Sequence, residues 1–237
     1  QMEGVSIKEE IAQELIVKSV ELNPITHRVE AVLPWIDNPL IKLAPNKSIA
    51  VKVYYRIVQC LNKCEKDRND TIQAEGKLQR LGYVDYVSNL TPEQQLMLKE
   101  SPFQNYLPWF IVWNSNSVTT TCRPVFNGSM NTPSGFSMNS LLAKGKNNMN
   151  KLVEIVIRWS MHAVAIHTDV KQLYNRIILK EDNWCFQRYI WEKDLDPTKL
   201  PVEKVIKTVI YGIRSSGNKA ERGMRMSADE KETSHPK

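Results

Sequence analysis

The chain has 237 residues, 42% of them hydrophobic and 24% charged, which is the usage of an ordinary globular protein and long enough to bury a substantial core in one large domain or two small ones. No run approaches the roughly 18 consecutive apolar residues of a membrane-spanning helix, and Gln1 to Glu10 does not read as a signal peptide, so the expectation is an intracellular protein, cytoplasmic or nuclear, with no membrane partner. A net charge of +6 and a pI near 9.0 fit a nucleic-acid partner, because Lys and Arg neutralise phosphates, although many basic proteins never meet one.

Ser48 to Lys66 carries Ile49, Val53, Ile57, Leu61 and Cys64 at three- or four-residue steps, the period of an amphipathic helix, with Asn46 or Ser48 as its cap. A second helix is predicted over Asp70–Leu81, stopped by Gly82 in a left-handed conformation. Thr91-Pro92-Glu93-Gln94 combines a capping Thr, a Pro at the first helical position and a Gln three residues after the cap, a strong helix start. From Asn105 the texture changes. Tyr106–Trp113 and Ser117–Phe126 are rich in aromatic and β-branched residues and read as a β-hairpin.

Asn127–Asn148 is Gly, Ser and Asn rich, hence looped, with an apolar island at Leu141 and Leu142. Lys151–Trp159 reads as a buried helix, and Ala163–Thr168 as a short apolar strand ending at Asp169. Trp184–Trp191 and Val205–Tyr211 are further strand candidates, Ser215–Met226 is a helix candidate, and Ser227–Lys237 is polar enough to be a disordered tail. Helices mixed with strands that do not alternate regularly with them imply an α+β fold.

Four cysteines are few for an extracellular scaffold. Cys60 and Cys64 lie four apart with no histidine nearby, which favours a structural role over a zinc site. His27, His162, His167 and His235 are scattered, and no Ser or Cys has a visible base partner, so a small metal or hydrolytic enzyme is the weakest of the readings. An acidic residue at the end of a buried strand requires compensation by a metal or a hydrogen-bonding partner, which draws attention to Asp169; a turn or helix cap is the plain alternative.

Several strings have a common likeness. Arg123-Pro124-Val125-Phe126-Asn127-Gly128-Ser129 followed by Ser134-Gly135-Phe136-Ser137-Met138-Asn139-Ser140-Leu141-Leu142 resembles the run R-x-V-F-D-x-S … S-G-x-S-L-N-D-x-L of BEL/Pao-type LTR retrotransposon reverse transcriptases. Ala165 to Tyr174 (AIHTDVKQLY) is similar to the first palm motif of that family, Phe186 to Trp191 to its F-Q-R-x-x-W segment, and Thr208 to Ser216 to its T-V-x-F-G-x-x-S-S-P motif. Leu33-Pro34-Trp35 and Tyr106-Leu107-Pro108 fall where the family has L-P-W and Y-L-P-H. The likeness runs in order from about Arg28 to about Met226.

The resemblance implies a partial right-hand polymerase fold: a mainly helical region over 1–104 leading into the fingers, a fingers-like hairpin, loop and helix over 105–160, an incomplete palm over 161–226, then the tail 227–237. It implies nucleotidyl transfer on an RNA or DNA template-primer, with Asp169 as a catalytic carboxylate holding Mg²⁺ and the backbone carbonyl of Val170 as a further metal ligand. Tyr174 would be the ring that excludes a 2′-hydroxyl. Arg123 would reach the triphosphate, and Tyr211 with Gly212 would line the nucleotide pocket. The plain alternatives are a surface arginine, a core aromatic and a turn glycine.

The pattern departs from the family at Asn127, where an Asp is usual, at Gly217 in place of Pro, at Trp109 and Phe110 after Pro108, and at Glu192 after Trp191. The family's aromatic-x-Asp-Asp motif, expected after the 215–226 helix, has no counterpart in Ser227 to Glu232. One carboxylate cannot hold two Mg²⁺ ions against their repulsion and hydration, so these residues are expected to polymerise nothing by themselves and to lack a downstream half of the polymerase. The other reading is a non-catalytic nucleic-acid-binding or interaction module of retroelement origin. Poor solubility is expected in either case, through an exposed sheet edge and an uncovered core.

Overall fold

The computed structural model describes residues 7–114, 122–146, 150–166 and 168–234. Residues 117–121 of the predicted second strand, 147–149 of the loop, His167, and 235–237 with His235 lie outside them. The class is α+β. Helix α1 (Ile7–Lys18) leads into strands β1 (Val20–Leu22) and β2 (Val29–Ala31), then the short α2 (Pro39–Lys42), α3 (Lys47–Leu61) and α4 (Glu65–Arg80). Strand β3 (Val84–Tyr86) and helix α5 (Pro92–Glu100) precede the hairpin β4 (Trp109–Trp113) and β5 (Cys122–Phe126). After α6 (Leu152–Ser160) come β6 (Ile178–Leu179), β7 (Arg188–Trp191), β8 (Val202–Ile206) and α7 (Ser216–Ser234).

Local signals form as their chemistry dictates. The Thr91 hydroxyl accepts from Gln94 N while the Gln94 side chain accepts from the Thr91 N–H, a complete capping box. Gly82 takes φ +74° just past α4. Asn46 does stand at the N-cap of α3, but its side chain caps nothing there. It is used at longer range instead, its amide bonding both the O and the N of Tyr106 at 2.8 and 2.9 Å. The buried stripe of α3 is Ala50, Tyr54, Val58 and Leu61, one residue round from Ile49, Val53 and Ile57, because the large Tyr54 ring takes the inward position.

Three small sheets result: β1-β2-β6, β3-β8-β7 and the hairpin β4-β5. The first two each join a strand that ends by residue 86 to one that begins beyond residue 177. β2 runs parallel to β6, with Ala31 opposite Leu179, and β3 is antiparallel to β8, with Val84 opposite Ile206. The hairpin pairs Trp109 with Phe126 and Val112 with Arg123, and it is pinned by Trp109, whose ring lies 5.1 Å from that of Trp191 and whose Nε1 donates to Ile190 O at 3.0 Å. The main core spans α3, α4, α5, the hairpin and β7-β8. A smaller one joins Val20, Val29, Ala31, Ile177, Val209 and Ala220 beneath α7.

A buried charge network ties α4 to the second sheet. Glu75 accepts from Lys204 Nζ and, at 2.6 Å, from the Tyr189 hydroxyl, while Lys204 also reaches Gln79 and lies 4.2 Å from the Tyr86 ring centre. Burial pushes the Lys204 amine down from its ordinary pKa, and the Glu75 carboxylate opposes that shift.

Several expectations are corrected. α6 forms where its period says, but it is not buried: Leu152, Val153, Val156, Ile157 and Trp159 are all exposed. Ala163–Thr168 forms no strand in its described residues, and Val164 and Ile166 are exposed, so Asp169 does not end a buried strand. An apolar run needs a hydrogen-bonding neighbour to become a strand, and none is offered among the described residues. The segment over 184–191 is extended only from Arg188, after a 3₁₀ turn at Glu181–Phe186, and the last strand spans Val202–Ile206, not Val205–Tyr211. The tail is also corrected. α7 continues to Ser234, with His27 Nδ1 2.5 Å from Glu230 Oε1 at its far end.

Candidate functional site

Strand β5 ends at Phe126 against the turn that follows β8. Gly212 sits in that turn at φ +92°, and a Cβ there would lie 1.8 Å from Phe126 O, so no other residue type fits without moving the backbone. The facing residue, Gly128, is also tightly packed: its Cβ would meet Ile213 Cδ1 at 2.7 Å and Asn139 Oδ1 at 2.8 Å. Asn139 stitches the joint together, donating from Nδ2 to Gly212 O and to Ser129 Oγ at 2.8 Å each and accepting from Arg214 N at 2.9 Å. The result is an open cleft of about 490 Å³, lined by Ser129, Ser137, Asn139, Ser140, Gly212, Ile213 and Arg214.

Tyr211 stands beside this cleft, 40% exposed. Its ring centre lies 4.5 Å from that of Tyr174, tilted by 57°. Partial burial raises its phenol pKa, the charges of Tyr174 and Asp169 add to the rise, and the Arg123 guanidinium opposes it. The Tyr174 and Tyr211 rings touch, and the charges of Arg123 on β5 and Asp169 before β6 bear on the Tyr211 phenol, although these residues come from segments far apart in the chain. Asp169 and Arg123 are exposed, and Val170 is 45% exposed. The Asp169 carboxylate and the Arg123 guanidinium are accessible to solvent, whereas the Tyr174 ring packs partly against the smaller core and presents only part of its surface beside Tyr211.

A metal centre is another matter. Among the described residues no three His, Cys, Asp or Glu side chains lie close enough to share an ion. Asp169 with the Val170 carbonyl falls short of the donor set that two Mg²⁺ ions need, so the residues described do not fit a two-metal site. All four cysteines are free; Cys60 and Cys64 are exposed and Cys122 and Cys185 buried.

Asn139 was not singled out from sequence as a site residue, though it lies within the S-G-x-S-L-N-like run. A second group, Lys77, Arg80, Lys171 and Arg176, was missed because its members come from segments about ninety residues apart that only the fold brings together. No helix of the described residues is long and apolar enough to cross a membrane. No protein-family model matches the chain, and no curated protein matches it at a significant level of similarity.

Proposed function

We propose that this chain carries the nucleotide-binding end of an RNA-directed DNA polymerase of the BEL/Pao retrotransposon type, as a partial right-hand fold of fingers and the start of a palm, working intracellularly in cytoplasm or nucleus. The observation that supports it is the contact of the Tyr174 ring with that of Tyr211, on whose phenol the charges of Arg123 and Asp169 also bear. These are the residues the family resemblance nominates, and nothing in their spacing along the chain requires them to meet. In this reading Arg123 grips the phosphates of a deoxynucleoside triphosphate, Tyr174, packed against Tyr211, bars a 2′-hydroxyl, and Tyr211 with Gly212 lines the pocket. Asp169 is the carboxylate that the resemblance assigns to Mg²⁺, and by itself it does not complete a two-metal site.

With one carboxylate at the site, the 237 residues by themselves extend no primer. The test is a deoxynucleotide titration, with primer extension on an RNA template run beside it. Binding that weakens at least tenfold in Arg123→Gln, without extension by the parent chain or by Asp169→Asn, is the expected result. No nucleotide binding at all overturns the reading, and extension abolished by Asp169→Asn overturns the inactivity. A non-catalytic nucleic-acid-binding module is the second reading, favoured by the +6 charge. It requires oligonucleotide affinity that falls steeply with salt.

A further inference from the structure

A second pocket, of about 250 Å³, opens where the C-terminal turn of α4 meets the segment before β6. Its walls carry Lys77 and Arg80 from one side, Lys171 and Arg176 from the other, with Tyr83 and Gln172 between them. All four cations are exposed, and none forms an ion pair among the described residues. Nearby lysines are not left in that condition: Lys207 pairs with Asp85 and Lys204 with Glu75.

The bland account is that basic residues at a helix C-terminus complement its dipole. That covers Lys77 and Arg80, which sit in the last turn of α4. It does not cover Lys171 and Arg176, which belong to no α-helix, and half a unit of negative dipole charge leaves four cations largely uncompensated. Gln172 adds an independent sign. It holds φ +56°, a conformation non-glycine residues seldom take and one that gathers at ligand sites. The Tyr83 hydroxyl donates to its Oε1 at 3.1 Å, which turns the amide nitrogen, with no acceptor among the described residues, away from the tyrosine.

We propose that this pocket binds a phosphate-bearing anion: two guanidinium forks and two ammonium groups match a ligand with several charges and many acceptor oxygens, which a single carboxylate would not satisfy. The phosphate comes either from a small free ligand such as pyrophosphate or from the backbone of a nucleic-acid strand. The site shares no residue with the group around Tyr211 and does not depend on it.

The test is calorimetric titration of the whole chain with pyrophosphate, at fixed ionic strength. Saturable binding, weakened at least tenfold in both Arg80→Gln/Arg176→Gln and Lys77→Gln/Lys171→Gln but unchanged in the remote surface variant Lys63→Gln, is expected. Exposed side chains carry these changes, so an unaltered melting temperature is expected with them. Binding that survives both double variants, or that is lost only in Arg123→Gln, overturns the pocket; the second outcome leaves the proposed nucleotide site standing. A parallel oligonucleotide titration identifies the source. A log–log salt slope reduced by about two in a double variant assigns the phosphates to a strand, and an unchanged slope assigns them to a free ligand.

Discussion

Lys219 is the residue whose surroundings make the clearest demand on chemistry. It lies on α7 at 1% exposure without an ion pair among the described residues, and burial alone pushes its amine down to about 7. Unfolded, the same amine titrates near 10.5. Between those values the unfolded chain holds a proton that the folded chain has released. Stability therefore rises with pH from about 7 to 10.5, by up to about 1.4 kcal/mol per unit, and below 7 this group contributes no slope. Lys219→Met is expected to remove that slope and to stabilise the fold at pH 7 by on the order of 4 kcal/mol, with the gain vanishing near pH 10.5. Denaturant melts of both proteins across pH 6–10 check it; parallel curves for the two would count against it.

At the scale of elements, the joint between α4 and the β7-β8 pair rests on Glu75. Truncating it strands the Lys204 ammonium and the Tyr189 hydroxyl in the core, so Glu75→Ala is expected to cost about 3–5 kcal/mol in chemical denaturation. Replacing both partners, Glu75→Met with Lys204→Met, is expected to recover most of the loss, because no charge is left behind. The same scale separates what the residues disclose on inspection from what they do not. The Thr91 capping box, the Gly82 stop and the β4-β5 hairpin are short-range chemistry, and each is legible before any folding. The period of α6 is legible too, but a period names the apolar face without naming what lies against it, so its exposure is not. The run Ala163–Thr168 has the composition of a strand but no strand partner among the described residues. Pairings such as β2 with β6 and β3 with β8 carry no local mark, and with them goes the basic pocket that they help to assemble. The meeting of Tyr174 with Tyr211 was implied by family likeness alone; no spacing rule contains it.

At the scale of the whole molecule, α6 and the segment after it leave several large apolar side chains exposed: Val153 and Ile157 on α6 are 68% and 56% exposed, and Val164 and Ile166 beyond the helix are exposed as well. Exposed apolar surface of this kind favours association. The chain is expected to self-associate at micromolar concentration, and Val153→Lys with Ile157→Lys is expected to return it to a monomer in sedimentation velocity with its melting temperature unchanged. A monomeric parent chain would refute the first statement. The long-range strand pairing has a consequence in time as well as in space. Synthesis runs from the N-terminus at roughly 5–20 residues per second, so β2 waits on the order of ten seconds, about 150 residues, before the ribosome delivers β6. During that wait its outer edge is open, and on a polysome the nearest strand in the same condition is the β2 of the neighbouring nascent chain.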